Sequence, residues 1–165
     1  MSLLRALNRI LDAMLQKLLA AAFAGMIITV FMQVAARNIL QEPLIWSLDV
    51  AQLLFAWCIF LGAALALRWG EHYTLELVPA HWRVVTSLIA VFAHCASAVV
   101  VGVLFFNGWI FADMGFSRFA PAIGISEFWF FLPIPLSGGV MILFLAEMIP
   151  DDLRRITEDF GRASR

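Results

Sequence analysis

Charge is scarce in this sequence: 14% of its residues are Asp, Glu, Lys or Arg, where soluble domains carry about 25%. The net charge is −1, so no basic field exists to hold nucleic acid, and that class of partner is excluded. Cysteine is nearly absent. Cys58 and Cys95 lie in separate apolar runs without a CxxC or Cys/His spacing, and they read as small hydrophobes rather than redox or metal residues. No HExxH, Walker loop, GxSxG or dinucleotide fingerprint occurs, so the sequence supplies no residues for an enzyme reading, and no cofactor is expected.

What the chain has in abundance is apolar surface, 63% of residues against about 45–50% in soluble domains. It is gathered into four runs, at about residues 18–38, 46–67, 84–106 and 128–149. Each matches the roughly 20 residues needed to cross a hydrocarbon core of about 30 Å. The expected fold is an all-α membrane protein of one domain, with four spans and no internal repeat. The first run is longer than the apolar region of a signal peptide and lacks a clear cleavage site, so it is expected to stay in the mature protein.

Orientation follows from the basic residues. Of eleven Lys and Arg, only Arg37 and Arg118 fall in the segments that would be outside if the N-terminus is inside. This bias predicts that both termini are cytoplasmic, with residues 150–165 as a cytoplasmic tail. Trp46, Trp109 and Trp129 then belong to the outer aromatic belt. Residues 1–17 place Leu7, Ile10, Leu11, Met14 and Leu15 at helical spacing with Arg5, Arg9, Asp12 and Gln16 facing elsewhere. A short amphipathic helix on the inner membrane surface is expected there, the alternative being a simple extension of the first span.

Ionisable groups inside the spans are few. Asp49 and Glu147 fall in the first turn of span two and the last turn of span four, both at headgroup depth rather than at the midplane. Asp49, Gln52, Ala56, Ala63 and Leu67 share one face of span two, a stripe suited to helix packing. Arg37 and Asp49, joined by a short connection, are expected to form an ion pair at the outer interface. His94 is the only histidine within a span, and His72 and His81 lie at the wrong depth to pair with it around a haem. The pairs Ala21/Gly25 and Ala98/Gly102 would permit close helix approach, while Pro133 and Pro135 favour a kink in the fourth span.

The stretch from Gln33 to His72 resembles the small permease (Q) subunit of tripartite ATP-independent periplasmic (TRAP) transporters. Family members show Q-V-x-x-R-Y, then P-L-x-W-[ST]-E-E-x-x-R, then F-L-G-A-A and R-x-x-x-H. Here these are Gln33, Val34 and Arg37; Pro43, Leu44, Trp46, Ser47 and Asp49; Phe60 to Ala64; and Arg68 with His72. Asn38, Leu48 and Gln52 depart from the family's Tyr, first acid and Arg, which puts a family charge network on this face in doubt. The resemblance implies a multi-pass protein of the bacterial inner membrane that acts as scaffold for a large permease (M) subunit. That permease moves an organic acid or similar solute captured by a periplasmic solute-binding protein. Gln33, Arg37, Pro43, Trp46, Asp49, Gln52, Ala56, Ala63, Arg68 and His72 are the candidate structural and partner-interface residues, with membrane lipid as the other partner. A self-sufficient small carrier and a haem-bearing anchor of a redox complex are the competing readings.

Overall fold

In a computed structural model of the chain, residues 2–69 and 83–163 are described, with side chains at 6–69, 92, 93 and 95–148. Helix α1 (Ser2–Ala35) runs into a π-helical turn (Ala36–Leu40) and is followed by α2 (Ile45–Arg68) and α3 (Arg83–Met114). A one-turn helix α4 (Phe128–Phe131) then leads into α5 (Pro133–Ala163). Four helical stretches are long and apolar enough to cross a bilayer: Ala6–Leu40, Ile45–Arg68, Cys95–Ser117 and Phe128–Met148. Lipid offers no partner for a bare N–H or C=O, so continuous helices are what apolar runs of this length must form.

The helices stand in a row rather than a closed bundle. α1 packs on α2, α2 on α5 and α5 on α3, while α3 does not pack on α1 or α2 among the described residues. α5 therefore lies inside the row and is the most buried of the four spans. Its seam with α2 holds Leu61, Leu65 and Phe144, to which α1 adds Leu15; a second cluster joins Ala64, Leu67, Val101, Met141 and Leu145. In α1 and its π turn, the buried positions are Asn8, Leu15, Ala22, Thr29 and Ala36, every seventh residue. A strict seven-residue repeat keeps one narrow seam against its neighbour in left-handed packing.

Two expectations change. The N-terminal segment is not a separate interfacial helix. Ser2–Ala35 is continuous, about 51 Å long at 1.5 Å per residue. Leu11 and Leu15 pack inward, and Asn8 and Asp12 face α2 and α5 rather than solvent. The third helix continues past residue 106 to Met114, shortening the connection that follows. The fourth helical path is divided at Leu132, whose backbone stays helical (φ −54°, ψ −36°) where Pro133 and Pro135 cannot donate to the ladder. Pro133 opens α5, the helix position proline tolerates best.

The closest helix approach occurs at two glycines that the sequence reading did not single out for it, Gly108 and Gly138. A Cβ on Gly138 would stand 2.9 Å from the Phe105 amide nitrogen, and one on Gly108 would stand 2.9 Å from Pro135 N, so α3 and α5 touch backbone to backbone. Of the glycines expected to permit close approach, Gly102 has open space around it, whereas a Cβ on Gly25 would stand 3.3 Å from Leu54 Cδ1 in the α1–α2 contact.

Candidate functional site

Among the described residues, the charged contacts between helices and loops gather toward the two ends of the row. At the end carrying both termini, Arg68 closes α2 and reaches α5 and α1 together. Its Nη1 lies 3.1 Å from Glu147 Oε2, its Nε 3.8 Å from Asp12 Oδ2, and its guanidinium covers the Phe144 ring at 4.8 Å. Asn8, fully buried, donates from Nδ2 to Glu147 Oε2 (2.6 Å) and to the Leu143 carbonyl (3.1 Å). About four-fifths of each charged side chain is shielded, so the ions act in a low dielectric and depend on one another. Asn8 Oδ1 and Asp12 Oδ1 are buried there without a hydrogen-bond donor among the described residues.

At the opposite end, the connection between α3 and α4 folds into a small hairpin. A 3₁₀ turn (Gly115–Ser117) leads to an antiparallel bridge between Phe119 and Ser126. Ala120 N–H donates to the Ile125 carbonyl (2.9 Å) and Glu127 N–H to the Arg118 carbonyl (2.8 Å). Gly124 makes the reversal with φ +66°, a conformation that only glycine adopts freely. Gly115 is required for another reason: a Cβ there would lie 2.6 Å from Phe128 N. The hairpin reaches across the row to α2, where Asp49 Oδ2 accepts the Ala122 N–H at 2.9 Å. Eight residues further along α2, Trp57 Nε1 donates to the Trp129 carbonyl (3.1 Å).

The expected Arg37–Asp49 ion pair is not formed. Arg37 sits exposed in the π turn, which closes on Gln41 in the left-handed region (φ 59°), while Asp49 is taken by Ala122. Asp49→Ala is expected to cost about 1.5–3 kcal/mol, the worth of a hydrogen bond to a charged group, and to speed hydrogen exchange at the Ala122 amide. Arg37→Gln should leave that exchange unchanged, and the two substitutions should add in a thermal melt.

The other candidate residues are spread along α1 and α2 rather than brought together. Gln33 is half-buried, Pro43, Trp46 and Gln52 are exposed, and Ala56 is half-buried. Ala63 packs on the chain's own cluster around Ala64 and Met141. Asp49 and Arg68 are nineteen residues apart on α2, about 28 Å along the helix, so they belong to different ends. His72 lies outside the described residues, as does the side chain of His94. Between α1 and α2 an open apolar groove of about 600 Å³ is bordered by Phe23, Phe55, Cys58, Ile59 and Trp69. No group of three or more His, Cys, Asp or Glu suited to a metal occurs among the described residues.

The sequence reading missed Asp12 and Glu147 as partners of Arg68, and Asn8 as a partner of Glu147. Their signal was depth: residues 68 and 147 end two spans on the same side, and Asn8 and Asp12 are one helical turn apart.

Comparison with known proteins agrees with this architecture. Residues 26–155 match the family model described as tripartite ATP-independent periplasmic transporters, DctQ component. A sialic acid TRAP transporter small permease protein, SiaQ, of Vibrio cholerae is 26% identical over 148 residues, covering 86% of this chain and 82% of that protein. The sialic acid TRAP transporter permease protein SiaT of Haemophilus influenzae is 29% identical over 117 residues, 67% of this chain but only 18% of that much longer protein. The C4-dicarboxylate TRAP transporter small permease protein DctQ of V. cholerae is 24% identical over 102 residues, 59% of this chain and 44% of its own. With four spanning helices and a family match over most of its length, the chain belongs to the DctQ component family of TRAP transporters and is a multi-pass inner-membrane subunit of such a transporter.

Proposed function

We propose that this subunit is the membrane scaffold of a large permease in the ion-gradient-driven uptake of an organic acid, with both of its termini in the cytoplasm. The observation that carries this reading is the distribution of charge. Along the middle of the row the described residues include no ionised side chain, and at its ends Arg68, Glu147, Asp12 and Asp49 are engaged in holding helices and the hairpin together. A self-sufficient carrier would need a charged or ion-coordinating group near the midplane, where alternating access places its site. Substrate and ion sites are then the partner's work, and this chain offers it two broad apolar faces.

Two relatives support the finer points. In the H. influenzae protein, a segment like this chain is a small part of one long permease polypeptide, which supports a direct association with the large permease. Sialic acid and C4-dicarboxylates, the solutes in the relatives' names, are both carboxylic acids, which supports that solute class here. The test is affinity purification of the full chain from its native membranes. A much larger multi-span permease, encoded beside it, should co-purify, and the complex should carry no visible absorbance. Recovery of this chain alone, with uptake activity on its own in liposomes, would establish the carrier reading instead.

A further inference from the structure

The hairpin between α3 and α4 has an apolar exterior. Phe116, Phe119 and Ile125 are 58%, 63% and 41% exposed. Met114 at the end of α3 and Trp129 on α4 are each about half exposed as well. Three features of the geometry say what covers it. The first is depth. Ala122 at the tip is bonded to Asp49, the fifth residue of α2, so the hairpin lies level with the first turn of a spanning helix instead of standing off above it. The second is backbone pairing. The amides of Arg118, Ala120, Gly124 and Glu127 are bonded within the hairpin, and the Ser117 and Ser126 hydroxyls donate to the Met114 and Gly115 carbonyls. Groups paired in this way lose little when they leave bulk water. The third is charge. Arg118 and Glu127 neutralise each other at 3.0 Å, and the Arg118 side chain remains largely exposed, placed to keep its guanidinium among polar headgroups.

We propose that this hairpin is a membrane-interface foot: Phe116, Phe119 and Ile125 are seated among the lipid headgroups of the leaflet at that end of the row. Lipid covers this face, not a soluble protein. The inference needs the four helices to span the bilayer, and it depends neither on which side the hairpin faces nor on the transport role. Seated in this way, the apolar side chains leave water and the tie to Asp49 sets the depth of the foot.

The test uses the full chain, with Cys58→Ala and Cys95→Ala, reconstituted in phosphatidylcholine nanodiscs. An environment-sensitive fluorophore is attached at Phe119→Cys or, in a second variant, at Phe116→Cys. A third label at Phe106→Cys, about 12 Å down α3 from its end at Met114, sets the depth scale. Both hairpin labels should lose emission to nitroxides at the headgroup and show little loss to iodide in the buffer. The Phe106→Cys label should respond most to nitroxides on the acyl chain. Strong iodide quenching of the hairpin labels without loss to headgroup nitroxides would overturn the proposal by placing the hairpin in water. Protection from both quenchers would overturn it by placing a protein surface there.

Discussion

Arg68→Ala is expected to lower the stability of the folded chain by about 3–5 kcal/mol, because it leaves the carboxylates of Glu147 and Asp12 shielded from water with their shared cation gone. Lysine should not restore the loss. An ammonium cannot lie flat on the Phe144 ring while reaching two carboxylates in different directions. The measurement is a denaturant titration of the purified chain in mild detergent, followed by far-UV circular dichroism. Joining Arg68→Met with Glu147→Met should cost less than the sum of the two single changes, since the pair disappears together. Simple additivity would show that Arg68 is held by contacts outside this cluster.

Gly138→Val is expected to force α3 and α5 apart. The added Cβ would stand 2.9 Å from Phe105 N and 3.0 Å from Phe105 Cα, both backbone atoms that cannot turn aside as a side chain would. The helices must separate, and overpacking of this kind costs about 1–3 kcal/mol. Gly108→Val should act similarly, through Pro135 N and Ile134 Cγ2. Gly102→Ala gives the comparison. With nothing within 4 Å of the new methyl, it should melt no lower than the parent chain. Equal losses at Gly102 and Gly138 would show that the close approach at Gly138 does not govern the effect.

The four spans were legible in the sequence because hydrocarbon thickness translates directly into a count of apolar residues. Partner choice was not. The seven-residue repeat of Asn8, Leu15, Ala22, Thr29 and Ala36 shows a seam only once two polar and two alanine positions are accepted as buried. Asn8 is tolerated there because Glu147, 139 positions later in the chain, accepts its proton donor. Asn107 and Gly108 look like the end of an apolar run. The helix instead continues, and Gly108 is the gap into which Pro135 fits. The Arg37–Asp49 expectation rested on a short connection and opposite charge. It failed because the π turn leaves Arg37 at the surface, while an amide from a distant loop satisfies Asp49. A hairpin of two bridged residues leaves no alternation long enough to register as strand.

The row order also bears on how the chain can be built during synthesis. α1 and α2 are neighbours in sequence and in space, and so are α3 and α5, while α2 and α5 form the one extensive seam between the two pairs. Each helical pair can close on its own as it leaves the ribosome, using contacts of short sequence separation. The final step is then a lateral docking of two finished hairpins in the plane of the bilayer. Arg68 and Glu147 lie on opposite sides of that docking line, so the ion pair latches an assembly step that the chain reaches only after its last helix has been inserted.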